Sequence, residues 1–279
     1  MTPLFKNSIV LFGAKRKMLR EMTGHIKTLV VGSSHGDFAF DPHYCPQSFN
    51  LCCRSQDLKH SFHLYREVAE RESALQNVVV FYSIFSPGNF MESSPSERDI
   101  CPPLNEMFGL GLRYEDPYLA DLSRMIEGQL ADVSIDIDGH AGFFPTTDKT
   151  FFDESYGARQ RAADHMKLNR TNAADVYLEQ LLMLASVKGH KVFIVVPPVR
   201  QDYKHACSLD FDDLFGGLLN TLHAAQVNYP GLVAHLINAY DDDEFTDDLF
   251  GDFDHLRPTA AGPGLLTSNI YKAISVEQG

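Results

Sequence analysis

The chain reads as an α/β protein: a three-layer α/β/α sandwich around a five-stranded parallel sheet, in a flavodoxin-like doubly wound arrangement. Three observations carry this expectation. Five apolar, β-branched runs recur along the 279 residues. Helix-like segments lie between or after them, in the alternation that builds parallel sheets. The runs are continuously apolar rather than alternating, as strands covered on both faces are.

The elements follow in order. "HIKTLVVGS" (25–33) is a strand that Gly32 closes, and "QSFNLCCRS" (47–55) is a second, shorter one. In "QDLKHSFHLYREVAERESALQ" the residues Leu58, Phe62, Tyr65 and Val68 fall at helical spacing, giving an amphipathic helix. "NVVVFYSIF" (77–85) is the third strand, ended by the turn "SPGN". Residues from about 90 to 154 are the least regular. One short helix is expected in "EDPYLADLSRMIEGQLA", and the stretch is read as an insertion within a single domain spanning 1–279. A long insertion beside a strand end often covers a site.

From Glu154 to Gly189 the pattern is helical, with a break near Asn169 to Asn172. "HKVFIVVPPV" is the clearest strand, stopped by Pro197-Pro198. "DFDDLFGGLLNTLHAAQVNY" is a helix, "GLVAHLINAY" a fifth strand and "RPTAAGPGLLTSNIYKAIS" a last helix. The N-terminal "MTPLFKNSIVLFGAKRKMLREM" has its apolar stretch before its basic residues, the reverse of a signal peptide.

Composition excludes several functions. A net charge of −13 opposes binding to a nucleic-acid backbone. No apolar run is long enough to span a membrane. Five cysteines, without metal-ligand or disulfide spacing, suggest reduced thiols and a cytoplasmic location. The acidic run "DDDEFTDDLFGDFD" lacks the spacing of a calcium loop and reads as a solvated surface. No metal and no cofactor is expected; a phosphate-binding loop would need a lysine or a fuller glycine pattern than the first turn has.

The chemistry-bearing residues lie at strand ends, where doubly wound folds place ligands. "GSSHG" sets two serines between the first strand and the following helix. Taken alone, a serine there is most often a helix cap. A serine nucleophile needs a base, and the base needs a carboxylate to orient it. Asp252 and His255, three apart after the fifth strand, supply both, because a short turn lets the carboxylate reach one ring nitrogen while the other faces out. Asp254 competes for that role, but an adjacent residue is poorly placed to reach its neighbour's ring. Arg200 and Tyr203 follow the fourth strand, the edge for substrate contacts, and His35 follows Ser34 at the turn.

Together, the G-x-S turn and the D-x-x-H-L block resemble the SGNH (GDSL-type) hydrolase superfamily. The resemblance implies Ser34 as nucleophile, His255 as base and Asp252 as orienting acid, with Ser33 where the family usually has Asp. "FNLCCRSQDL" is similar to the second block and puts Ser55 at the place of the family's oxyanion glycine. The third block, G-x-N-D, has no counterpart in place in "FYSIFSPGNF"; Ser83 is nearest the strand end and Asn89 is the only Asn near it. "GSSHG", "FYSIFSPGN" and "VPPVRQDY" also resemble a divergent branch found among bacterial surface-polysaccharide biosynthesis proteins. The implied function is an esterase, deacetylase or O-acyltransferase acting on a small-molecule or carbohydrate ester. The missing third block leaves a second expectation, a non-catalytic binding or assembly protein on the same fold.

Overall fold

A computed structural model describes residues 3–146, Phe152, Glu154 and 157–277. Its centre is a sheet of five parallel strands: β1 (Thr28–Val31), β2 (Ser48–Asn50), β3 (Asn77–Phe81), β4 (Lys191–Val196) and β5 (Ala234–Asn238). They lie side by side in the order β2-β1-β3-β4-β5, the flavodoxin-like order, with its switch point between β1 and β3. Leu29 faces Phe49 of β2 on one side and Val78 of β3 on the other.

Side chains alternate across a strand, so each strand feeds two cores. On one face Leu29, Val31, Val78, Val80, Val192 and Ile194 pack among Phe12, Tyr65, Leu178 and Leu214. These come from α1 (Pro3–Glu21), α3 (Leu58–Arg71), α7 (Asp175–Lys188) and α9 (Phe211–Asn228). On the other face Val30, Val79, Phe81, Phe193 and Val195 meet Ala39, Leu266 and Ile270. These belong to α2 (Ser34–Ala39) and α10 (Gly262–Val276). The expected three layers are therefore present, and continuous burial of β1 and β3 explains their uniformly apolar sequences.

Three helices had no counterpart in the sequence reading. α1 buries Phe5, Phe12 and the whole side chain of Lys15, a face hidden behind the basic residues of its other sides. Lys15 Nζ donates to Asp37 (2.8 Å) and to the carbonyls of Asn50 (3.2 Å) and Cys52 (2.5 Å), tying α1 to α2 and to the end of β2. α4 (Cys101–Phe108) lies within the expected insertion, beside α5 (Pro117–Ile126), where a helix was expected. α8 (Gln201–Cys207) follows β4 and packs on α6 (Ala158–Asn169). The break between α6 and α7 falls at the expected place, and Gly189 ends α7 with a left-handed φ of 70°. The end of the insertion at 147–151 and 153, and the expected helix start near Ser155 and Tyr156, lie outside the described residues.

One loop of the insertion reaches the outer edge of the sheet. The N–H of Asn50 donates to Ala141 O (2.8 Å), and a Cβ on Gly142 would come within 2.1 Å of Asn50 O. Only glycine permits that approach. All five cysteines are buried and unpaired. Among the described residues, no helix is long and apolar enough to cross a membrane.

Candidate active site

The turn after β1 separates its two serines into different tasks. Gly32, with φ of 139°, lies against Phe81 of β3; a Cβ there would sit 2.7 Å from Phe81 Cβ. The chain can then turn sharply from strand to helix. Ser33 is the cap of α2, its hydroxyl accepting the N–H of His35 at 3.4 Å. Ser34 is thereby released from capping, and its Oγ lies 2.8 Å from His255 Nε2, 221 residues away in sequence.

His255 is held by a compact loop between β5 and α10. Asp252 Oδ1 accepts the backbone N–H groups of Asp254 (3.1 Å) and His255 (2.9 Å), an Asx turn that the D-x-x-H spacing makes possible. Both oxygens of the same carboxylate lie 2.9 Å from His255 Nδ1. Nδ1 thus carries the proton and Nε2 presents a lone pair to Ser34. The turn is closed by Gly251 N–H donating to His255 O (2.8 Å) and by Arg200 N–H donating to Phe253 O (2.9 Å). Ser34, His255 and Asp252 form one continuous hydrogen-bonded chain.

A second carboxylate lies beside it. Asp254 is 1% exposed, and neither of its oxygens has a hydrogen-bond partner of good geometry. It is surrounded at longer range by His35 Nε2 (3.3 Å), His255 Nδ1 (3.5 Å), His165 Nδ1 (3.7 Å) and Arg161 (3.8 Å). Arg161 also reaches Asp252 at 3.5 Å. Burial works to lower the pKa of His255, but the charges of Asp254 and Asp252 outweigh it, and the imidazole ends above its ordinary value. Burial, helped by neighbouring cations, wins at His35, which is lowered, and at His165, pushed down to about 4. Burial opposes ionisation of Asp254, yet His255, His35 and His165 bring it well below the usual carboxylate range.

His35, Asp254 and His255 bring ligand atoms within 4.8 Å of one another, a grouping with the composition of a divalent-ion site. Both nitrogens of His255 are already engaged within the protein, with Asp252 and Ser34, and His35 Nδ1 with Ser83 Oγ (2.9 Å). An ion would have to break the serine–histidine–aspartate chain to bind there.

Ser34 and His255 open on a cavity of about 510 Å³. Phe38 and Phe85 form apolar walls, while Ser55, Asn89, Arg54, Ser94 and Ser96 make the remainder polar. Ser55 adopts a left-handed φ of 58°, and Asn89 Nδ2 donates to its carbonyl at 3.1 Å. These two residues, expected from separate blocks, are therefore joined on one wall.

The other expected residues lie elsewhere. Ser83 does not line the cavity; its N–H donates to Ser86 Oγ and its hydroxyl lies 2.9 Å from His35 Nδ1. His35 is 4% exposed, stacked behind His255 with centroids 4.6 Å apart. Tyr203 is buried, its hydroxyl 2.7 Å from His165 Nδ1. Arg200 pairs with Asp202 and Glu154 and lies over the Phe253 ring, so it supports the histidine loop from outside the cavity. Arg161, His165 and the role of Asp254 were not foreseen. Arg161 and His165 stand four apart on α6, on one face, the single pattern that could have signalled them. Comparison with family models, with curated proteins and with solved structures finds no match to this chain.

Proposed function

We propose that this protein is a serine-dependent ester-processing enzyme, an esterase or deacetylase, or an O-acyltransferase, of the SGNH type. The observation that carries the reading is the unbroken chain Ser34–His255–Asp252, with links of 2.8 and 2.9 Å, opening on a polar cavity. Ser34 Oγ attacks the acyl carbonyl while His255 Nε2 takes its proton. Asp252 keeps the Nδ1 proton in place and stabilises the imidazolium. The carbonyl oxygen becomes an oxyanion, for which the Ser34 and Ser55 N–H groups and the Asn89 amide are the candidate donors. Collapse expels the alcohol, to which His255 returns the proton. Water, or the hydroxyl of an acceptor, then resolves the acyl-enzyme by the same route.

The cavity, lined by hydroxyl, amide and charged groups, supports a polar, acylated substrate over a long-chain lipid. An acylated carbohydrate of surface-polysaccharide biosynthesis is the class that the sequence resemblance adds. Five buried, unpaired thiols support a reducing compartment such as the cytoplasm. The wild type is expected to hydrolyse p-nitrophenyl acetate and to be labelled by a fluorophosphonate, both lost in Ser34→Ala, with turnover also lost in His255→Ala. Labelling that survives Ser34→Ala would move the nucleophile to another serine. A wild type inert to both reagents would favour the binding-protein reading, which the missing third block supports.

A further inference from the structure

The two carboxylates of the histidine loop are not equivalent. Asp252 is fully engaged, by two backbone N–H groups and the His255 ring. Asp254 is as deeply buried yet lacks any close hydrogen bond. Burying an ionised carboxylate is costly unless other charges compensate. The groups that face it are few. From α2 comes His35, from α6 Arg161 and His165, and from its own loop His255 and Asp252. Tyr203 and Cys207 of α8 also lie within electrostatic reach of it, Tyr203 bonding His165 as well, and Asp164 lines the cavity beyond it.

The charges of this cluster do not cancel while His255 is neutral. Two carboxylates share one permanent cation, the Arg161 guanidinium. Burial lowers the pKa of His35 and of His165, which sets both against supplying the second. At His35, Nδ1 lies 2.9 Å from the Ser83 hydroxyl and 3.2 Å from that of Ser33, and Nε2 lies 3.3 Å from Asp254. Its ring is also stacked on His255 at an interplanar angle of 23°, where two imidazolium charges would repel. The cluster therefore holds one unmatched negative charge, and a proton arriving on His255 neutralises it.

We propose that Asp254 is a second carboxylate serving the same base, a positioning residue whose charge stabilises the His255 imidazolium formed when Ser34 attacks, while His35 lies against its other oxygen. The proton passes from Ser34 Oγ to His255 Nε2; the other ring proton stays on Nδ1, hydrogen-bonded to Asp252, and none moves to Asp254. The kinetic consequence rests on the serine-enzyme reading, but the electrostatic one does not.

The test is an NMR titration of isotope-labelled histidine and aspartate side chains in the wild type and Asp254→Asn, with His255→Ala to assign signals. A pH profile of kcat/KM is recorded alongside. In Asp254→Asn, His255 titrates at lower pH, the acid limb of kcat/KM moves down with it, and the plateau falls about tenfold. In the wild type, His35 and His165 stay neutral and Asp254 stays ionised while His255 titrates. The proposal is overturned if His255 titrates at the same pH in both proteins, or if His35 takes a proton before His255. Should Asp254→Asn fail to fold, the wild-type order of protonation decides alone. An NMR shift without any turnover defeats the serine-enzyme reading and leaves the electrostatic role standing; turnover without a shift does the reverse.

Discussion

Replacing Asp252 by Asn isolates the charge that orients the base. The side chain keeps its shape, so Oδ1 can still accept the Asp254 and His255 N–H groups at 3.1 and 2.9 Å and the loop keeps its turn. The amide then falls where Oδ2 was, 2.9 Å from His255 Nδ1 and 3.5 Å from Arg161. Both neighbours are donors, so half of the fork becomes repulsive. Oδ1 retains little capacity for a third hydrogen bond. Removing one partner from a buried, hydrogen-bonded charge pair costs about 3–5 kcal/mol. That cost falls on the transition state, where His255 is positive, and corresponds to a loss in kcat/KM of roughly 10²- to 5 × 10³-fold. The assay is steady-state p-nitrophenyl acetate hydrolysis, with circular dichroism to confirm the fold. Activity within tenfold of wild type, in a folded Asp252→Asn protein whose Ser34→Ala counterpart is inert, would refute the orientation argument.

Other outcomes follow from the same geometry. The folded-state pKa of His255 is raised from 6.5, by carboxylates that outweigh its burial. Its stabilising contribution is therefore complete below pH 6.5 and lost as pH rises through the folded value; wild-type Tm should fall over that range relative to His255→Gln. Turnover, which needs the neutral ring, should rise over the same range. Gly32→Ala forces a Cβ to within 2.7 Å of Phe81 at a φ that L-residues avoid, and should cost about 2–4 kcal/mol in urea unfolding. Lys15→Met strips Asp37 of its ammonium partner and should cost about 3–5 kcal/mol; a change under about 1 kcal/mol would mean that the pair adds little.

β1, β3 and β4 were legible because they are buried on both faces and so are apolar almost throughout, whereas β5, only partly buried, was read from its apolar run alone. The helices that the pattern missed each lack a readable apolar stripe for a reason of their own, α4 because it opens on Pro102 and Pro103 and is only eight residues long. α1 hides a fully buried lysine among its exposed basic residues, and α8 is only seven residues long. At the site, the D-x-x-H spacing revealed Asp252 because an Asx turn is a local event. Asp254 ranked second because an adjacent residue is poorly placed to reach its neighbour's ring. It reaches His255 at 3.5 Å through the folding of the loop, and its other partners come from α2 and α6. Such convergence leaves no spacing to read. Asn89 was found only by its proximity to a strand end; its tie to Ser55 depends on the turns that follow β3.

The loop seated on β2 limits how these molecules can meet. An outermost strand normally offers a row of unsatisfied backbone groups to any extended chain nearby. Here the Asn50 N–H is already taken by Ala141, and Gly142 presses against the Asn50 carbonyl so closely that a methyl group would not fit. A foreign strand would have to evict this plug before it could extend the sheet from that margin. Substituting Gly142 would thus do more than strain a turn: by lifting the plug it would bare the Asn50 N–H and carbonyl on that margin.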